Sequence, residues 1–433
     1  MNTNASLRAR SVGFGGYSEG AADDLNKALW SALYMEPGLS VETLVDQYSR
    51  HFFPEGRADG AALLFGLERN WVGDGRTNSA VLSTLATADR LYAAAGDIRR
   101  SANWRLQAHL MRSYFDGYVQ ARARFESQRE NEAKEAIATA IEERMCNPAA
   151  ALAVLSRPFV DAAAFGWRNR TYELALAINV SSSLCGDCLY GGTAVLESQN
   201  PGLSLSGFSI LGQELPGWID SPSLSDTAFL KSSLTNISKL AGVTERCAAL
   251  SEIITWEDPG PGGFYDQLGG LPRSPRLDPG FGAAADPQFV FTPFIEFDED
   301  YTRWPETTDG RPERMTWHRY AQTYGDTPLV LNYGGLDKAA SYNISIVYAY
   351  AGFEGPPESS LAAIGADGQS VMLHDFMVPP QPTQRISFAI PAAVTKAGQL
   401  RVECRQPAGL CQNGNGRGCQ IAEVWLTRRV NGH

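Results

Sequence analysis

The sequence WEDPGPGGFYDQLG, residues 256–269, separates a half of the chain with helical patterning from a half with strand patterning. Proline lacks an amide donor and glycine loses backbone entropy, so this stretch suits neither a regular helix nor a central strand. We predict a specified loop, a hinge or a site. Glu257, Asp258 and Asp266 are candidate acid–base residues, with Tyr265 as an assisting group.

Residues 40–255 keep mostly helical spacing, apart from a Ser/Gly/Pro-rich region at 183–225 that we predict to be a loop. Ser40 is typical of an N-cap residue. Trp104, Tyr114 and Tyr118 lie on one side of the longest predicted helix, as core residues do. His109 on the same helix is either a packing residue or an assistant to the acid–base candidates.

The segment GYSEGAADDLNK contains Glu19, Asp23 and Asp24 just before and at the start of a predicted helix. Acidic residues in a first turn complement the helix dipole, which gives them a structural role. The alternative is a strand-to-helix turn at a cleft, where the three carboxylates would face a substrate as catalytic candidates.

Residues 257–313 are rich in proline, glycine and aspartate, yet they also carry many aromatic residues. A flexible linker would avoid aromatics, so we predict a connector packed along the surface. Within it, the acidic run Glu296, Asp298, Glu299 and Asp300 has two interpretations, a calcium site or a solvated face. The solvated face is the commoner meaning, and we predict no metal centre and no cofactor.

Short alternating segments follow, with turn signals between them. They predict an antiparallel β-sandwich of jelly-roll, galactose-binding-like type, so the fold class is α+β multidomain. The residues predicted to share a face, strand by strand, are Leu329, Leu331, Tyr333; Tyr342, Ile344, Ile346, Tyr348; Ile386, Phe388, Ile390; Leu400, Val402, Cys404; and Gln420, Ala422, Val424, Leu426.

The loop CQNGNGRGC precedes the last predicted strand, and loops at the end of a sandwich commonly bind ligands. The polar side chains of Asn413, Asn415, Arg417 and Gln420 are candidates for hydrogen bonds to sugar hydroxyls. Trp317, Tyr320 and Tyr265 are candidates for stacking on a sugar ring or lining the same site. The alternative for the loop is a tight surface turn.

Charge and hydropathy exclude several classes of partner. The 433 residues carry 37 basic and 48 acidic side chains, a net charge of −11. Nucleic-acid binding requires a basic footprint, which this balance does not provide. No apolar run is long enough to predict a membrane span, and the first residues lack the apolar core of a signal peptide.

Seven cysteines leave several interpretations open. Cys185 and Cys188 form a lone CxxC without the context of a redox or zinc motif, which favours a loop disulfide or plain thiols. Two of the late cysteines, Cys404, Cys411 and Cys419, would bridge in an oxidising compartment.

Four segments together resemble the C-terminal half of large, glycoside-hydrolase-like secreted proteins of bacteria and some algae: YSEGAADDLNKALWSAL, NWRLQAHLMRSYFDGYVQARARFE, WEDPGPGGFYDQLG and NGRGCQIAEVWL. The resemblance implies that a hexosaminidase-like domain and a (β/α)₈ barrel precede this region, and that the full-length protein is extracellular or in the secretory pathway. It also implies that Glu19, Asp23 and Asp24 lie near the barrel's cleft.

These observations predict a barrel remnant at 1–30, a helical domain at 31–255, a connector at 256–314 and a sandwich at 315–430. The favoured function is a non-catalytic, carbohydrate-associated region with a sugar-binding sandwich. One alternative is a glycoside hydrolase that uses carboxylates at the junction of helical domain and connector. The other is a structural interaction protein.

Overall fold

The computed structural model describes residues 24–36, 38–54, 56–70, 72–97, 103–182, 220, 224–285, 295–299, 313–349, 358–407 and 417–429. It is an α+β structure with helices first and two antiparallel sheets last, so the predicted fold class is confirmed. The chain forms two compact units, one of residues 1–125 and 159–222, the other of residues 126–158 and 223–433.

The first unit is helical. Its helices are α1 (Asp24–Met35), α2 (Val41–Phe52), α3 (Arg57–Asn70), α4 (Ala80–Ala95), the first part of α5 (Trp104–Glu142) and α7 (Ala162–Ser182). As predicted, Ser40 caps α2, because its side chain accepts a hydrogen bond from the Thr43 amide at 3.1 Å. Leu106, Leu110 and Tyr114, spaced by four residues on α5, are fully buried in the core of this unit.

The second unit begins with a helical layer. It contains the end of α5, then α6 (Ala149–Leu155), α8 (Thr227–Ser238) and α9 (Val243–Ile254). Ile137, Leu155, Leu234 and Leu250 are fully buried together in its core. A disulfide between Cys146 and Cys247, with their Cα atoms 5.1 Å apart, fastens α9 to the turn after α5.

The strands of the second unit build a sandwich. They are β1 (Phe264–Gln267), β2 (Ile295–Glu299), β3 (Arg319–Tyr324), β4 (Leu329–Gly334), β5 (Ser341–Tyr348), β6 (Ser359–Ile364), β7 (Ser370–Met377), β8 (Arg385–Ile390), β9 (Gln399–Arg405) and β10 (Arg417–Arg429), with the one-turn helix α10 (Ala392–Thr395) before β9.

The larger sheet, sheet A, has the order β2-β3-β10-β5-β8, and sheet B has the order β4-β9-β6-β7. Without β1 and β2, the eight remaining strands follow jelly-roll topology, in which the chain passes from one sheet to the other at every connection except that between β6 and β7. The disulfide between Cys404 of β9 and Cys419 of β10 joins sheet B to sheet A through the core. It confirms that two of the late cysteines bridge.

The segment predicted as a connector supplies two of the strands. β1 pairs with β10 over Phe264–Gln267, and β2 pairs with β3 over Ile295–Glu299. The prediction that residues 256–269 cannot hold a central strand is met only in part. Their second half is a short strand that lies in line with β3 along the same side of β10.

Glycine makes this arrangement possible. A Cβ atom at Gly269 would lie 2.1 Å from the carbonyl carbon of Arg319, so the chain leaving β1 passes directly against the start of β3.

Candidate functional site

A bulge in β10 sets which side chains face away from the sandwich core. The register with β5 shifts between Ile421 and Glu423, so one extra residue, Ala422, is inserted. Ile421 and Val424 both belong to the sandwich core, whereas Ala422 and Trp425 belong to a separate apolar cluster on the outer face of sheet A. The predicted grouping of Gln420, Ala422, Val424 and Leu426 on one face is therefore wrong, because the bulge changes the alternation.

Glu423 is the centre of the outer face. Its side chain is fully buried and accepts hydrogen bonds from three donors. Tyr265 Oη donates to Oε1 at 2.6 Å, and Trp317 Nε1 donates to Oε2 at 2.9 Å. Trp256 Nε1 donates to Oε2 at 3.2 Å. We call Glu423 and these three donors the Glu423 cluster.

The rings of the Glu423 cluster are partly exposed and packed around a buried tryptophan. Trp425 lies edge-on to Trp256 with ring centroids 5.2 Å apart, and Tyr265 lies at the same distance on a tilted plane. Trp425 Nε1 donates to the Trp256 carbonyl at 2.7 Å. Burial, with the Glu423 carboxylate alongside, raises the pKa of Tyr265 well above its usual range, so the phenol remains a donor.

A buried ion pair supports Trp256 from the other side. The Arg314 guanidinium lies 4.7 Å from the Trp256 ring centroid and 5.2 Å from that of Phe229. Its Nη2 lies 3.4 Å from Asp226 Oδ2, and the Met315 amide donates to Asp226 Oδ1 at 2.7 Å. Burial raises the pKa of Asp226, and the charge of Arg314 opposes that shift. The helical layer of this unit is thereby tied to sheet A.

The predicted carboxylates of the 256–269 stretch do not share one environment. Glu257 and Asp258 are exposed, and Asp258 Oδ1 accepts a hydrogen bond from the Gly260 amide at 2.8 Å. Asp266 is buried on the core side of β1. There it accepts hydrogen bonds from Ser274 Oγ at 2.5 Å and Tyr333 Oη at 3.1 Å, with Arg276 Nε 3.3 Å away.

Of the N-terminal candidates, Glu19 and Asp23 lie outside the described residues, and Asp24 opens α1 as predicted. Asp24 accepts hydrogen bonds from Tyr48 Oη at 2.7 Å and from Arg105 Nε at 2.6 Å. Burial raises the pKa of Asp24, but the hydrogen bonds from Arg105 and Tyr48 outweigh it, so the net shift is downward. His109 contacts the same helix turn, with Nδ1 donating to the Arg105 carbonyl at 2.6 Å.

Only some of the predicted ligand-binding residues belong to the Glu423 cluster. Trp317 and Tyr265 meet at Glu423, as described above. Tyr320 lies in the same apolar cluster but is only 1% exposed, which leaves almost no ring surface for stacking. Gln420 is also buried, and its Nε2 donates to Gln322 Oε1 at 3.1 Å. Arg417 begins β10, and Asn413 and Asn415 lie outside the described residues.

Sequence reasoning missed three contributors to this site: Glu423, Trp425 and Arg385. Arg385 begins β8, and its guanidinium lies 4.0 Å from the centroid of the Trp425 ring. The sequence AEVWL contains a clue to Glu423 and Trp425, because these two residues lie two positions apart and therefore on the same face of a strand. The predicted grouping assumed unbroken alternation and assigned no role to the opposite face, which included Glu423 and Trp425.

In the part of the chain that the structure describes, no group of three or more His, Cys, Asp or Glu side chains is placed to hold a metal ion. The same residues include no helix long and apolar enough to cross a membrane. Cys185 and Cys188 lie outside the described residues, and so does Asp300 of the acidic run.

Comparison with protein-family models finds no matching family, and comparison with curated proteins finds no match. Among solved structures, the chain is similar to a family GH115 4-O-methyl-α-glucuronidase with specificity for decorated arabinogalactans, at 8% sequence identity and a TM-score of 0.19. The match covers 93% of this chain, and the chain spans 44% of that enzyme. Because the score is so low, the functional assignment rests on the residues of this chain alone.

Proposed function

We propose that this chain is a non-catalytic, carbohydrate-associated region whose β-sandwich binds a glycan on the outer face of sheet A. One observation carries the proposal: three partly exposed aromatic side chains have their polar atoms bound to a single buried carboxylate, Glu423. The rings of Trp256, Tyr265 and Trp317 are therefore held in place before any ligand arrives.

Such an arrangement suits a sugar. Aromatic rings provide apolar area at a low cost in conformational entropy, and a ring already fixed loses little more when it binds. The indole and phenol donors are already occupied by Glu423, so the exposed ring surface of Trp256, Tyr265 and Trp317 is what remains for a pyranose face.

The carboxylates support a non-catalytic role. Glycoside hydrolysis generally requires two carboxyl groups that flank one glycosidic bond, about 5–10 Å apart. Glu257 and Asp258 are exposed, whereas Asp266 faces the sandwich core and is bound to Ser274, Tyr333 and Arg276. This placement favours the accessory function over the hydrolase alternative for these three residues.

Localisation is part of the proposal. The two disulfides within the described residues, Cys146–Cys247 and Cys404–Cys419, support folding in an oxidising compartment such as the secretory pathway or the cell exterior. The resemblance to glycoside-hydrolase-like proteins supports action beside a catalytic barrel, with glycan binding that keeps such an enzyme on its substrate.

The test is a calorimetric titration of the chain with neutral β-1,4-linked oligosaccharides of glucose, xylose, mannose and galactose. Trp317→Ala removes one ring and should weaken binding about tenfold, which corresponds to one aromatic stacking contact. Trp317→Phe keeps a ring and should lose less. Met372→Ala, at a residue 56% exposed on β7 of the other sheet, is the matched control. Unchanged binding by Trp317→Ala would overturn the proposal.

A further inference from the structure

Arg385 is a half-buried cation whose N–H groups make no hydrogen bond to the residues that the structure describes. It lies at the start of β8, opposite Val347 of β5. Its guanidinium rests 4.0 Å from the Trp425 ring centroid and 5.8 Å from that of Trp256. Among the described residues, these rings and the more distant charges of Glu423 and Glu252 are its interactions.

The surroundings of Arg385 disfavour its positive charge. Burial lowers the pKa of Arg385, although Glu423 and Glu252 oppose the shift, so the environment disfavours the charge that it holds. A guanidinium stacked on a ring keeps its in-plane N–H donors free, and those donors match the two oxygens of a carboxylate or a sulfate group. An anion that bound there could accept hydrogen bonds from these donors.

The two carboxylates near Arg385 form no described ion pair with it. Glu423 lies beneath the rings with its oxygens bound to Trp256, Tyr265 and Trp317, and Glu252 is exposed on α9. The other buried cation of this region, Arg314, is already paired with Asp226. Arg385 is therefore the guanidinium beside the exposed rings that an incoming anion would meet.

We infer that Arg385 binds an anionic substituent, a carboxylate or a sulfate ester, of a glycan that stacks on the neighbouring rings of Trp256 and Trp317. This inference rests on the proposed function and deepens it by naming the chemical class of ligand. The rings supply affinity for the sugar, and Arg385 supplies the preference for a charged one.

Three ligands with one backbone test it: neutral cello-oligosaccharides, the same oligosaccharides oxidised to carboxylates at C6, and the same oligosaccharides carrying sulfate esters. Calorimetric titrations at low and high salt with the wild-type chain should give about tenfold tighter binding to at least one charged form, as expected for one charge-assisted contact. Whichever charged form is preferred identifies the anion.

Arg385→Gln should abolish that preference, so that its affinities for the three ligands agree within about twofold. Arg385→Lys should keep only part of the preference, because an ammonium cannot form the bidentate pair. Arg429→Gln is the matched control, since Arg429 is exposed on β10 and its Nε donates to Asn343 Oδ1 at 2.7 Å.

The inference would be overturned if all three ligands bound equally well, if the preference for a charged ligand survived Arg385→Gln, or if Arg429→Gln also abolished it. Each of these outcomes would leave the proposed function standing. Binding of none of them, charged or neutral, would overturn both.

Discussion

Glu423 shows how a single buried residue organises a surface. A buried carboxylate is costly unless hydrogen bonds compensate its lost hydration, and here two indole N–H groups and one phenol donate to it. Three side chains, two from residues 256–269 and one from the turn before β3, are thereby fixed around one acceptor.

Replacing Glu423 should therefore destabilise the protein. Glu423→Gln keeps the shape but removes the charge and turns one acceptor into a donor that faces other donors. We expect a loss of about 2–4 kcal/mol in the free energy of unfolding, the range for breaking a buried charged network. Denaturant unfolding followed by tryptophan fluorescence measures it.

Glu403→Gln is the comparison, because Glu403 is paired with Arg401 and Arg405, whose side chains are about half exposed. Partly exposed pairs contribute about 1 kcal/mol or less. An equal loss of unfolding free energy in the two variants would show that the three hydrogen-bond donors do not make Glu423 more important for stability than Glu403.

His109 predicts a pH dependence of stability. Burial lowers the pKa of His109 below its usual value of 6.5. Below pH 6.5 the unfolded chain then binds more protons than the folded one, so stability is complete above that pH and falls as the pH drops. One unit of pH below this value costs up to about 1.4 kcal/mol.

Unfolding of the wild-type chain and of His109→Gln at pH 7.5 and pH 5.5 isolates this contribution. The variant should lose less stability between the two pH values than the wild type. His374, whose pKa burial also lowers, remains in both chains and cancels in the comparison. An identical loss in both chains would contradict a buried, neutral His109.

For single residues, the sequence predicts the local structural position of a side chain better than the partner that it contacts. Asp24 was expected in the first turn of a helix, and it is found there. Its partner Arg105 is 81 residues away, and no local pattern relates the two. Glu423 escaped notice for the same reason, since its three donors come from other segments of the chain.

β1 is the element whose role was hardest to foresee. Its four residues follow a turn with glycines at positive φ, Gly260 and Gly262, and the chain that leaves it passes directly against the start of β3. The proline and glycine content correctly indicated irregular backbone before Phe264. Period-two alternation cannot be detected in four residues, so the strand itself was not predicted.

Gly269→Ala tests this close approach. The new Cβ would lie 2.1 Å from backbone atoms of Arg319, which cannot move aside without displacing β3. We expect a loss of about 3 kcal/mol or more, at the upper end of the costs of overpacking. Gly334→Ala on β4 is the control, because nothing lies within 4 Å of its added Cβ.

Thermal unfolding of these two variants provides the readout. Gly334→Ala should be nearly neutral. A Gly269→Ala protein as stable as the wild type would mean that the chain leaving β1 does not pass against β3 as described.

For the whole molecule, the α+β architecture followed from the change of hydrophobic period near residue 256. Alternation at Leu329, Leu331 and Tyr333, for example, corresponds to the observed β4. The sequence predicted a jelly-roll sandwich but not which strand pairs with which, because strand pairing is decided by contacts between residues far apart in sequence. β10, which pairs with β1, β3 and β5, depends on all of them.

The two described disulfides should differ in their effect on stability. Cys146–Cys247 closes a loop with a sequence separation of 101, and Cys404–Cys419 closes one of 15. Chain entropy alone predicts stabilisation of about 4.7 kcal/mol for the longer loop and about 3 kcal/mol for the shorter.

Denaturant unfolding of the two double-alanine variants, Cys146→Ala with Cys247→Ala and Cys404→Ala with Cys419→Ala, measures both effects. The first pair should be the more damaging. The reverse order would show that the link between the two sheets matters more than the length of chain that each disulfide constrains.

The most direct test of the account is an NMR titration that follows the indole N–H signals of the nine tryptophans while a β-1,4-linked oligosaccharide is added. If a glycan binds at the Glu423 cluster, the signals of Trp256 and Trp317 shift together, those of tryptophans in the first unit, such as Trp30 and Trp104, stay in place, and Trp317→Ala removes the response. Shifts confined to tryptophans outside the Glu423 cluster, or no shift with any oligosaccharide, would contradict it.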